Sequence, residues 1–310
     1  MILKKLLFTL LLIILVSFKN LCAYENKIVL KIDNEIITQL DIINEIQYLK
    51  ILNPNIIKLE RKKIYSIGKN SLIREKIKQI EILKYVKKIQ INQKILDELI
   101  KSKYYELNLS SKKEFLNFLK QYSIDLNNIE RKITIEALWN QIIFSKFSTK
   151  IRINKEKLKK QIKNNNKLGI KSYLLSEIQF TVHNKNQLDS KYNNIKKTIL
   201  ANGFENAALL HSKSDTAELG GKLGWIREDT LNRILKKELS DLEISSITKP
   251  ILTSNGFLIL KIEDIKFLKK EFDLKKELEE LINLKTNEQL SQFSNYYFDK
   301  IKKDIVINEL

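Results

Sequence analysis

Gly220-Gly221-Lys222-Leu223-Gly224-Trp225 (GGKLGW, 220–225) holds three of the seven glycines of this 310-residue chain and one of its two tryptophans. A chain so poor in glycine places three within five positions where the backbone must adopt angles that side chains obstruct. The stretch therefore predicts a turn at Gly220 and Gly221, with Gly224 letting the backbone pass close beside Trp225. Upstream, KSYLLSEIQFTV (171–182) reads as a strand. LDSKYNNIKKTILANG (188–203) reads as a helix closed by Gly203, and FENAALLHS (204–212) as a second, short helix. Downstream come a helix around 228–239 and, after Pro250, a strand GFLILKIEDIKF (256–267). Strand, two helices, glycine turn, helix and strand describe a small α+β unit.

The residues before this unit follow a different period. KIVLKID (27–33) alternates as a short strand, Asn34-Glu35 makes a turn, and Thr38 is placed to cap a helix QLDIINEIQYLKIL. Apolar residues then recur at three- and four-residue spacing in 71–89, 93–107, 111–122 and 129–147, with Asn53-Pro54-Asn55 as the clear breaker. Ser110 or Ser111 with Glu114 predicts a capping box. KEKLKKQIKNNNKLG (155–169) ends in polar residues and a glycine, which marks a boundary. Beyond the α+β unit, 269–303 is helical and highly charged, and DIVINEL closes the chain as a candidate strand. The expected class is α+β: a mostly helical region 24–165, an α+β domain 166–267 and a C-terminal segment 268–310 whose helix packs back on the helical region. Neither helical part alone has an apolar core of normal size.

Composition narrows the function. The formal net charge of +19 invites a nucleic-acid reading, but the lysines are spread evenly and form no arginine-rich block, so no nucleic-acid partner is expected. The first residues direct the chain elsewhere. Lys4 and Lys5 precede an apolar run from Leu6 to Phe18, too short to span a bilayer, and Ala23 offers a cleavage position. A secretory signal peptide over 1–23 is expected, with an uncleaved anchor as the alternative. Cys22 is the only cysteine, so the mature chain has none. That excludes disulfides, thiol catalysis and cysteine-bound metal. With His183 and His211 the only histidines, neither a metal site nor a histidine acid/base pair is expected, and no cofactor.

Residues 204–264 resemble a parvulin-type peptidyl-prolyl isomerase domain. The phenylalanine-led helix, the serine loop, Gly-Gly-x-Leu-Gly-Trp, the ISSITKP segment and the terminal Gly-x-x-Ile strand carry the likeness. NKIVLKIDNEIITQLDIINEI (26–46) is similar to the mature start of SurA-like periplasmic chaperones. The resemblance implies a four-stranded antiparallel sheet with helices and a client-holding role toward unfolded outer-membrane or exported polypeptides, above all aromatic-rich segments, without stable membrane insertion. It also implies where isomerase residues fall. The two family histidines align with Glu177 and Leu258, and the Cys or Asp position with Ser214, or with Asp215 after a one-residue slip. The family threonine is Thr253. Leu223, Leu231 and Leu235 take the proline-pocket positions, with Trp225 beside them. Both histidines and the pocket phenylalanine are thus replaced. The expectation is a chaperone whose isomerase is weak or inactive, the alternative an active isomerase of exported proteins. Tyr104, Tyr105, Phe115, Phe118, Tyr122, Trp139, Phe144 and Phe147 stand at helical spacing and are expected mostly in the core.

Overall fold

A computed structural model describes residues 26–164, 170–182, 184–268 and 274–310. The apolar leader with Cys22 and Ala23, and His183, lie outside the described residues.

The helical region opens on a hairpin of β1 (Ile28–Ile32) and β2 (Glu35–Thr38), turned at Asp33 with φ 48°. Thr38 then caps α1 (Gln39–Leu52). Its hydroxyl accepts from the Asp41 N–H at 3.2 Å, and the Asp41 carboxylate accepts from the Thr38 N–H at 2.8 Å. Four helices follow: α2 (Arg61–Ile82), α3 (Gln93–Glu106), α4 (Lys112–Gln121) and α5 (Leu126–Phe147). The reciprocal cap expected at Ser111 and Glu114 starts α4. Helix α2 starts ten residues before its expected first turn at 71, because Glu60 makes no side-chain cap and RKKIYSIGKN is too polar to show a period. Gly68 in that stretch has a packing reason: a Cβ there would meet Ile46 at 2.8 Å, so α1 and α2 cross closely.

The α+β domain is preceded by α6 (Lys155–Asn164). Its sheet comprises β3 (Ile170–Phe180), β4 (Lys222–Arg227), β5 (Ile251–Thr253) and β6 (Gly256–Leu268), all antiparallel in the order β4-β3-β6-β5. Helices α7 (Leu188–Asn202) and α8 (Phe204–His211) cover one face through Ile195, Phe204 and Ala207 against Ile178, Phe180 and Ile259. Helix α9 (Arg233–Ser240) covers the other. The expected turn at GGKLGW is only half of what forms there: β4 begins at Lys222, inside the motif.

Helix α10 (Leu274–Ile301) returns to the helical region. Trp139 is fully buried and donates its indole N–H to Ser294 at 2.9 Å, while Phe147 stacks on Phe293 at 4.8 Å. Phe298 and Ile301 complete the core of Leu30, Ile32, Ile135 and Trp139. The last strand, β7 (Ile307–Glu309), pairs antiparallel with β1, so both ends of the described chain close one three-stranded sheet, β2-β1-β7. Of the eight aromatics, Tyr104, Phe115, Trp139 and Phe147 are buried, and Phe118 and Tyr122 pack against the second helical core; Tyr105 and Phe144 are exposed.

Candidate functional site

Side chains alternate along a strand, so Tyr173, Leu175, Glu177 and Gln179 of β3 share the face that α9 covers. On it Tyr173 and Leu175 pack with Leu231, Leu239, Ile251, Leu260 and Ile262, and with the half-buried Leu223, Leu235 and Leu258. Leu231 is only 7% exposed and belongs to the floor of this cluster. Leu223, Leu235 and Leu258 are the partly exposed members of this cluster.

A β-bulge sorts the GGKLGW side chains. Leu175 opposes Gly224 while Ser176 opposes Lys222, which leaves Leu223 as the extra residue. Gly224 supplies the positive φ of 79° that the bulge uses, and beyond its chain neighbours a Cβ there would meet nothing within 4 Å. Past the bulge, Trp225 opposes Leu174 and points to the other face of the sheet, where Lys266 covers its ring at 3.8 Å. There it joins Ile162, Leu281 and Leu284 of α6 and α10, away from the leucines it was grouped with. Close approach is instead the role of Gly221: its Cβ would lie 2.2 Å from the Glu177 carbonyl oxygen.

The loop SKSDT (212–216) brings its hydroxyls to Glu177. The Gln179 N–H donates to Ser212 Oγ at 3.0 Å, and Lys213 N–H to the Gln179 carbonyl at 2.7 Å, docking the loop on β3. Ser212 Oγ lies 2.9 Å from Ser214 Oγ, which lies 2.8 Å from Thr216 Oγ1, which donates to Glu177 Oε1 at 2.9 Å. Ser214 is nearly fully buried. Burial pushes the Glu177 carboxyl above its ordinary value and Asp215 adds to the rise, against the Thr216 and Ser214 hydroxyls. Ser212 and Thr216 were not among the expected site residues; hydroxyls at alternate positions, Ser-x-Ser-x-Thr, are the signal that finds them. Asp215, the alternative to Ser214, instead pairs with Arg74 of α2 at 2.5 Å. Thr253 is also turned aside: its hydroxyl donates to the Gly256 carbonyl at 3.1 Å and closes the β5–β6 turn. His211 is no part of the site. Its Nε2 meets Thr198 Oγ1 at 2.9 Å, and burial, with Lys191 nearby, lowers its pKa to about 4.

A family model described as the PPIC-type PPIASE domain, Rotamase, matches residues 174–264, the span from β3 to β6. These residues are similar to a PpiC-type rotamase domain. Chaperone SurA of Pseudomonas putida is 30% identical over 112 residues, 34% of this chain and 26% of the relative. Chaperone SurA of Chromohalobacter salexigens is 23% identical over 167 residues, 51% of this chain and 38% of the relative. This chain thus matches 26% to 38% of the length of these curated relatives. Among solved structures, one of two structurally related SurA-like chaperones of Campylobacter jejuni is 22% identical over 92% of this chain and 99% of that one, with a TM-score of 0.38. A PpiC-type peptidyl-prolyl cis-trans isomerase domain is 26% identical over 33% of this chain and 98% of that one, with a TM-score of 0.29.

The rotamase domain meets the helical region along α8 and the hydroxyl loop. Leu209 and Leu210 pack on Leu49, Ile56, Leu59 and Ile67, and the buried Asn206 donates to the Asn55 carbonyl at 2.9 Å. A cavity of about 530 Å³ lies in this junction, with Ser214, Asp215 and Glu218 on one side and Ser71, Arg74, Glu75 and Lys132 on the other. At its base Lys132 binds Glu45 at 2.6 Å and Glu75 at 2.5 Å. Lys132 and Arg131 hold the Glu75 carboxyl below its ordinary value despite burial, whereas burial raises that of Glu45. Among the described residues no cluster of His, Cys, Asp and Glu could hold a metal ion, and no helix is long and apolar enough to cross a membrane.

Proposed function

We propose that this chain is a periplasmic chaperone that holds unfolded outer-membrane polypeptides, and that its rotamase domain binds prolyl segments while isomerising them weakly. The carrying observation is the occupancy of the two positions where the family resemblance implies histidine: Glu177 and Leu258 stand there. Rotation about an X-Pro bond crosses a barrier of about 18–20 kcal/mol because twisting breaks amide resonance. A catalyst lowers it by favouring the twisted amide over the planar one. Leu258 offers no hydrogen bond, and an ionised Glu177 repels a carbonyl oxygen. The half-buried Leu223, Leu235 and Leu258 still suit a proline ring. For holding, Tyr85, Tyr105, Phe144 and Tyr296 are exposed on the helical part and supply aromatic surface for apolar clients.

Two assays on the mature chain test this. It should suppress aggregation of a denatured outer-membrane β-barrel at a few-fold molar excess, and accelerate a protease-coupled prolyl-peptide assay only slightly above background. Absence of suppression would refute the holding role. Isomerase rates far above background would overturn the weak-enzyme reading and favour an isomerase of exported proteins.

A further inference from the structure

The hydroxyl chain has a fixed direction. Ser212 Oγ accepts from two backbone N–H groups, Gln179 at 3.0 Å and Ser214 at 3.3 Å. Its own hydrogen therefore goes to Ser214 Oγ, that of Ser214 to Thr216 Oγ1, and that of Thr216 to Glu177 Oε1. Backbone donors set one end and a carboxylate the other, so Glu177 is oriented by a chain that carries no charge. The charged groups around it are otherwise engaged. Asp215 has its own cation in Arg74, and Lys222 of the neighbouring strand reaches Glu205 at 3.1 Å. Among the described residues no lysine or arginine nitrogen lies within 4.0 Å of Glu177. A half-buried carboxylate on the sheet face that carries Leu258 and Leu223 has lost part of its hydration and gained no counter-ion. A cation delivered by a ligand restores what burial removed.

We propose that Glu177 makes the rotamase groove selective for prolyl segments that carry a lysine or arginine beside the proline. The ring sits on Leu223, Leu235 and Leu258, and the neighbouring ammonium or guanidinium reaches the Glu177 carboxylate. Thr216 is a positioning residue: it touches no ligand but aims the carboxylate that does.

This rests on the groove binding prolyl peptides, and the test separates the two. Four fluorescein-labelled peptides of equal length, containing Ala-Pro, Lys-Pro, Arg-Pro or Glu-Pro, are titrated with the full mature chain and followed by anisotropy. Lys-Pro and Arg-Pro should bind about tenfold more tightly than Ala-Pro, the size of one charge-assisted contact, with Glu-Pro weakest. Glu177→Gln is isosteric and keeps the acceptor for Thr216; it should bring all four within about twofold of one another. Thr216→Val should reduce the cationic preference, read as the ratio of Lys-Pro to Ala-Pro affinity. Equal binding of all four to the unsubstituted chain, or a preference that survives in Glu177→Gln, overturns the inference while the groove reading stands. If no prolyl peptide binds, the groove reading falls and this inference with it.

Discussion

Replacing Gly221 by alanine should cost far more than replacing Gly224, although the two share a motif and nearly the same backbone angle. Gly221 has φ 80° and Gly224 φ 79°, so each alanine carries the left-handed penalty of about 1–2 kcal/mol. At Gly224 nothing else is met within 4 Å. At Gly221 the new Cβ would stand 2.2 Å from the Glu177 carbonyl oxygen and 3.2 Å from Ala208 Cβ. Backbone must move, which adds about 1–3 kcal/mol of overpacking. The movement strikes two hydrogen bonds, Glu177 N–H to the Gly221 carbonyl at 2.7 Å and Gly221 N–H to the Thr216 carbonyl at 2.8 Å. Amide hydrogen exchange followed by mass spectrometry reads the local opening of β3 and β4 in the intact protein. Relative to Gly224→Ala, Gly221→Ala should exchange roughly 5- to 150-fold faster in peptides from 170–180 and 222–227. Equal acceleration by the two substitutions would refute the close-approach argument and leave only the shared backbone angle.

Lys132→Met leaves Glu45 and Glu75 buried without their shared ammonium, and should destabilise the helical region by about 3–5 kcal/mol in urea titrations; a loss under 1 kcal/mol would place the cluster in water. At the junction, Ser71 Oγ lies 2.7 Å from both Glu45 Oε1 and Glu218 Oε1 but has one hydrogen to donate, so a proton on Glu45 relieves the contact that hydrogen leaves unserved. The Glu45 carboxyl is raised by burial, so its contribution is present below the ordinary carboxylate value and is lost as pH rises through the folded value. Energy transfer between dyes at Lys94→Cys and Lys196→Cys should fall over that rise, and the change should vanish in Glu218→Gln; an identical response in both proteins sinks the shared-proton account. For His211 the sign is the reverse. Its folded pKa of about 4 lies below the ordinary value of about 6.5, so its contribution is present above about pH 6.5 and lost as pH falls through about 4. An NMR titration midpoint near 6.5 would contradict the burial that causes it.

What the sequence made legible was local. The caps at Thr38 and Ser111 and helices α3 to α5 depend on contacts within a turn or two, and their residues announce them. Strands β2, β4 and β5 have four, six and three residues, too short for an alternating pattern to declare itself, and β7 acquires its meaning only by pairing with β1. The site divides on the same line. The resemblance groups Leu223 and Trp225 at one pocket, yet a single extra residue in β4 sends them to opposite faces. Gly221 was readable as a position that rejects side chains, but the obstacle is the carbonyl of Glu177, on another strand. Alignment by resemblance names which residue occupies a catalytic column without saying what that residue touches. The resemblance assigns Ser214 and Thr253 to catalytic positions, yet one serves a hydroxyl chain and the other a turn, while the residue holding Glu177 is Thr216, to which it assigns nothing. The chemistry of this groove therefore follows from the loop hydroxyls that took over the carboxylate, and substitutions at Ser212, Ser214 and Thr216 should reshape it more than any at Thr253.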